Sequence, residues 1–188
     1  MSSPDLPTVT VTLIPGTATV HYPLPADHPF YAIIGRVAAE WARFEHLLDL
    51  IIWELSGLDG ATGAAITAQM LGSTNRCRTI IALLTLKRMN KQIIQSVTKL
   101  MNSSYDPAEA RNRIVHDSWF IQAETGQIGQ FRAMAAKDLR YGLVEINEKE
   151  VDALLLRVQN LADRALALKD QISSELQALH ERRQRPRS

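Results

Sequence analysis

Seven apolar residues, Val151, Leu154, Val158, Leu161, Ala165, Leu168 and Ile172, recur at alternating steps of three and four. A β-strand turns every second side chain to the same face, so it does not collect such a set. An α-helix at 3.6 residues per turn lines all seven on one stripe. The stripe therefore requires a long helix with an apolar partner along its length, either the rest of the chain or a second copy of it. Asn147-Glu148-Lys149-Glu150, just ahead, has the form of a capping box. A second stripe of this kind runs through Ile33, Ile34, Val37, Trp41, Phe44, Leu48, Ile51, Ile52 and Leu55. Asp27 is the expected cap of that helix, Pro29 lies in its first turn and Gly57 stops it. Two helices of this length within 188 residues predict a mostly α single domain, large enough to bury a core without staples.

The remaining segments fill in a bundle with small β additions. Residues 8–22 alternate, with Val9, Val11 and Leu13 on one side and threonines on the other. Pro15-Gly16 marks a turn, so this stretch reads as a β-hairpin. A short Ala-rich helix is expected over 60–71, ending at Gly72. Caps at Ser73 to Asn75 open the next helix, and another amphipathic stretch covers 90–102. Asp106-Pro107-Ala108-Glu109 combines a cap, a first-turn proline and an acidic residue three positions on. It predicts a fresh helix carrying residues 111 to about 118. Trp119 to Met134 reads as a second hairpin around Thr125-Gly126, with a further strand near Leu143–Ile146. The expected organisation is an N-terminal hairpin and linker over 1–26, a helical domain over 27–180 with a β insertion at about 119–146, and a frayed basic tail at 181–188.

Composition excludes more than it assigns. The formal net charge is +1, so no blanket attraction to nucleic acid follows. The single cysteine, Cys77, rules out a disulfide framework and reads as a small buried apolar residue. His21 and His28 lack partners at metal-ligand spacing, so neither a metal nor another cofactor is expected. The most apolar window, Ile33 to Leu55, is broken by Arg36, Glu40, Arg43, Glu45, Asp49 and Glu54, which argues against a membrane span. The opening Met-Ser-Ser-Pro-Asp lacks the pattern of a signal peptide, and a cytoplasmic location is the expectation.

One segment carries chemistry: Arg111-Asn112-Arg113-Ile114-Val115-His116. Histidine titrates near neutrality, so it can take a proton from a ribose 2′-hydroxyl or give one to a departing 5′-oxygen. Arginine keeps its charge and forks onto phosphate oxygens. Asparagine can hold either the histidine or the phosphate. Together they suit RNA phosphodiester cleavage that needs no metal. On a helix Asn112 and His116 share a face, but Arg111 lies about 140° away from His116. One helix does not aim all three groups at one point; two copies across a two-fold axis would, so a homodimer is expected. An Arg followed loosely by a His is expected by chance about once in a chain of this composition. Fixing both the Asn and the spacing lowers that to roughly 0.01.

The segment Ala110 to Asp117 resembles the signature helix of the HEPN superfamily, and Gly35-Arg36-Val37 with Trp41-Ala42-Arg43-Phe44-Glu45 is similar to the opening helix of such domains. The resemblance covers about 28–120 and the final helix. It implies a HEPN-like bundle of four to five helices that dimerises around a shared cleft. In that cleft Arg111 and His116 would be the catalytic pair and Asn112 their polar helper, in an endoribonuclease of toxin or anti-phage type. RNA would be the partner, and any antitoxin a separate chain. The hairpin and the β insertion fall outside the minimal family bundle. Some HEPN domains are non-catalytic, which leaves a helical dimer binding a nucleotide, RNA or protein as the alternative.

Other charged residues are weaker candidates for substrate contact. Arg113 flanks the motif, and a plain helix-face charge is its other reading. Arg76 and Arg78 open a helix, where an anion is favoured, but a solvated face is the simpler reading of both. Glu45 could approach the cleft or form a structural ion pair.

Overall fold

The computed structural model describes residues 9–10, 20–135 and 139–184. In chain order the elements are β1 (Val9–Thr10), β2 (Val20–Pro23), α1 (Phe30–Ser56), α2 (Gly60–Thr67), α3 (Gly72–Leu86), α4 (Lys91–His116), β3 (Trp119–Gln122), β4 (Ile128–Ala135), β5 (Leu139–Glu145) and α5 (Glu148–Gln184). The chain is mostly helical, as the apolar spacing predicts.

The stripe on α5 faces the chain's own core. All seven of its residues are buried in one core cluster with the apolar residues of α1, the helix α5 packs against most extensively. At about 1.5–3 kcal/mol for each large apolar side chain buried, this seam is the main source of cohesion. α5 spans 37 residues, about 55 Å. It continues through residues 181–184, into the expected tail; residues 185–188 lie outside the described residues. Asn147 caps it, its Oδ1 accepting from the Lys149 N–H at 3.0 Å. α4 lies antiparallel to α5: Asn90, at the start of α4, donates its N–H to Glu175, while the C-terminal half of α4 lies beside Val151 and Leu154. Arg43 bonds both Glu40 and Asp163, fastening α1 to α5 across the surface.

Several expected boundaries move. Asp27 does not cap α1; the cap position falls on Pro29, which has no side-chain cap, and the Phe30 N–H donates instead to His28 Nδ1 at 3.2 Å. Gly57 does stop the helix, in the left-handed region at φ 66°. Gly72 opens α3 rather than ending α2, while α2 is capped by Asp59, which accepts from Ala61 and Thr62. The largest correction is at Asp106-Pro107, where no new helix begins. α4 runs unbroken through Pro107 for 26 residues. An interior proline costs about 3 kcal/mol. Here it is itself buried on one continuous stripe with Ile93, Val97, Leu100, Ser104 and Ile114, and that burial outweighs the lost hydrogen bond.

The hairpin and the insertion are one structure. β1 pairs with β2, β2 with β3, β3 with β4 and β4 with β5, all antiparallel, in a five-stranded sheet. His21, Tyr22 and Pro23 stand opposite Gln122, Ile121 and Phe120, so β2 is joined to the insertion. The turn at Pro15-Gly16 lies outside the described residues. The strand expected near 143–146 is β5, which begins earlier, at Leu139, and ends at Glu145. Helices α1 to α4 are thus inserted between neighbouring strands. Phe30 at the start of α1 meets Trp119 at the start of β3 edge to face, ring centres 4.7 Å apart. None of the described helices is long and apolar enough to cross a membrane.

Candidate functional site

The motif occupies the last turns of α4, and the sheet fixes that end of the helix. The final carbonyls of a helix lack intrahelical donors. Here the Arg113 carbonyl accepts from the Asp117 N–H at 2.9 Å and from Gln130 Nε2 at 2.8 Å. The Ile114 carbonyl accepts from Trp119 Nε1 at 3.0 Å. Gln130 is fully buried and Trp119 nearly so. Two strands therefore clamp the segment between Arg111 and His116, and the backbone under the motif is held from both sides.

The motif side chains diverge as the helical wheel predicts. Arg111 falls on the same stripe as Ile93, Val97 and Ser104, the side of α4 that faces the bundle, and it is half-buried. Its Nη1 donates to Asn112 Oδ1 at 2.9 Å. Its Nε is buried with no hydrogen-bond partner, the one such side-chain atom among the described residues. An unsatisfied buried donor costs about 1–3 kcal/mol. Asn112 and His116 stand one turn apart on the outer face and are exposed, and His116 has no hydrogen-bond partner among the described residues. Within one chain, then, Arg111 is linked to Asn112, and His116 stands clear of both.

Tyr105 shares this outer face and is 43% exposed. It precedes Asn112 by seven residues, two turns, so the stripe Tyr105, Asn112, His116 presents an aromatic ring, an amide and an imidazole in a row over about 16 Å. Sequence reasoning missed Tyr105 because the expected helix break at Asp106 separated it from the motif. Gln130 and Trp119 were missed for a different reason: nothing in a strand pattern says which polar group will reach a helix end.

The weaker candidates separate clearly. Arg76 does not serve as a substrate contact. It is buried, with Nε on Asp49 at 2.7 Å, Nη1 on the Met70 and Gly72 carbonyls and Nη2 on the Thr67 carbonyl. Glu45 joins the same cage, 3.7 Å from Nη1. The fork is used to tie the α2–α3 connection to α1; Glu45 thus forms the structural ion pair, while Arg76 is neither the expected anion contact nor a solvated charge but a buried one. Arg78 is exposed two positions on and has no partner among the described residues. Arg113 is paired with Glu109 one turn back. Its side chain turns toward a groove between α4 and the start of α5, together with Arg132 and Arg157, on the flank of α4 away from Arg111. Cys77 is buried, and desolvation pushes its thiol up to about 12.

Comparison of the chain with protein-family models, with curated proteins and with solved structures gives no match in any of the three.

Proposed function

We propose that the chain is a HEPN-type endoribonuclease, acting as a homodimer that cuts RNA without a metal, in a cytoplasmic toxin or anti-phage setting with any antitoxin on a separate chain. The observation that carries this reading is the exposed His116 at a helix end clamped by Trp119 and Gln130, one turn from an Asn112 that is itself bonded to Arg111. A rigid backbone under a reacting group favours catalysis, because small displacements lose much of the rate. In the reaction, the RNA 2′-oxygen forms a bond to phosphorus and its proton passes to the imidazole. The bond from phosphorus to the 5′-oxygen breaks as an imidazolium of the cleft returns a proton to that oxygen, leaving a cyclic phosphate. Arg111 neutralises the charge that builds on the phosphate oxygens. Tyr105 offers a ring on which a neighbouring unpaired base stacks.

Because Arg111 and His116 diverge within one chain, the reading rests on a cleft lined by two copies of α4. A second reading, a non-catalytic helical dimer that binds a nucleotide, RNA or protein, draws on the Arg111–Asn112 bond, which already engages part of the guanidinium. Cleavage of labelled RNA in EDTA separates the two. Wild-type cutting to a cyclic phosphate, lost in Arg111→Ala and His116→Ala at matched circular dichroism, is the expected result. Intact RNA across a broad panel with the wild type overturns the enzymatic reading.

A further inference from the structure

A groove of about 490 Å³ lies between the C-terminal half of α4, strand β4 and the start of α5. Its floor is apolar, made by Ala110, Ile114, Ile146, Val151 and Leu154. Its cations are arranged unequally. Gln130, fully buried, donates through Nε2 to the Arg113 carbonyl and accepts through Oε1 from Arg132 Nε at 3.2 Å. A side chain pinned by a helix end thus holds Arg132 by its inner nitrogen. The two outer nitrogens of Arg132 have no partner among the described residues, which is the end-on fork that takes an oxyanion bidentately. Arg113 and Arg157 reach the same groove through pairs with Glu109 and Asp106. The Arg157–Asp106 pair is loose, 3.9 Å with both groups largely exposed, and such pairs are worth little. A doubly charged phosphate therefore competes well for Arg157. Glu150 stands unpaired among the described residues at the rim, an acceptor for a hydroxyl or an amino group.

We propose that this groove is a binding site for a nucleotide phosphate, with Arg132 gripping the phosphate and the apolar floor taking the base or sugar. Its volume falls in the range that encloses small ligands, about 300–1,000 Å³. The phosphate comes either from a free mononucleotide or from an RNA strand passing along α4; the second source rests on the RNA reading above, the first does not. The site lies on the other flank of α4 from Arg111 and needs no cleavage to be seen.

Calorimetric titration of the full chain tests it with 5′-AMP, adenosine, inorganic phosphate and a short 2′-O-methyl oligoribonucleotide that lacks the attacking hydroxyl. Saturable binding of 5′-AMP, weakened at least about tenfold for adenosine and in Arg132→Met, supports the free-nucleotide source. Arg132-dependent binding of the oligonucleotide without binding of 5′-AMP supports the strand source. Arg132→Lys keeps the charge but not the fork and is expected to lose several-fold. Thermal melting of each variant at the wild-type midpoint excludes unfolding as the cause. Failure of both nucleotide probes to bind, or equal binding by wild type and a folded Arg132→Met, overturns the proposal. The cleavage assay in EDTA is read independently of either result.

Discussion

Gln130 Nε2 donates to the Arg113 carbonyl oxygen at 2.8 Å, joining the middle of β4 to the last turn of α4 across seventeen residues of sequence. A buried amide spent on a helix end, with its other atom on Arg132, makes the sheet a support for the motif helix rather than an ornament on a bundle. The same support comes from Trp119 Nε1 on the Ile114 carbonyl.

Trp119→Phe keeps a ring against Phe30 but removes that donor. The Ile114 carbonyl then stays buried without it, which costs about 1–3 kcal/mol. Urea unfolding is expected to show a lower midpoint at unchanged slope. An unmoved midpoint would mean that the helix end does not depend on the sheet.

His116→Ala and Asn112→Ala alter exposed side chains, so each is expected to leave stability within about 0.5 kcal/mol of wild type. If the enzymatic reading holds, His116→Ala abolishes RNA cleavage at that unchanged stability. A large fall in the unfolding midpoint of His116→Ala would instead assign the histidine a structural role.

Arg76→Met strands Asp49, whose side chain is only 14% exposed, with no counter-charge at its carboxylate. Removing one partner of a buried pair costs about 3–5 kcal/mol. Adding Asp49→Asn should recover part of the loss, a coupling that a double-mutant cycle measures. Additive losses in that cycle would contradict the cage described around Arg76.

Gly63→Ala places a methyl 2.5 Å from the Trp53 ring. Trp53 also donates to Thr67 Oγ1, so it is not free to swing away. Overpacking of this kind costs about 1–3 kcal/mol, read as a lower denaturation midpoint. Full tolerance would show that α2 slides easily over α1.

Cys77 is expected to resist a thiol reagent at pH 8 in the native protein and to react once unfolded, since burial raises its pKa from 9.0 to about 12. The neutral thiol is favoured in the fold. Its contribution is therefore fully present below about pH 9 and is lost as pH rises from there toward 12. Rapid native labelling at pH 8 would contradict this burial.

The helices were legible because apolar spacing is a local signal. The stripes on α1 and α5 follow from one repeat distance and the need to bury one face, and the chemistry of Arg111, Asn112 and His116 follows from their side chains. Even their divergence around α4 was readable from the helical angle per residue. The partner of the α5 stripe was not, because period alone does not say whether a seam closes on its own chain or on another; packing against α1 decided it. The unbroken α4 was not legible either. Asp106-Pro107 carries a local start signal, and only the burial of Pro107 along a shared core stripe overrides it. Arg76 read as a phosphate contact or a solvated charge at a helix start, and neither reading shows that the fold brings Asp49 and the carbonyls of Thr67, Met70 and Gly72 to its guanidinium. The pairing of β2 with β3, and the reach of Gln130 and Trp119 to the end of α4, join residues far apart in sequence. Such contacts leave no periodic trace; sequence alone set the elements and the reactive groups, and tertiary packing decided which groups stay free to act.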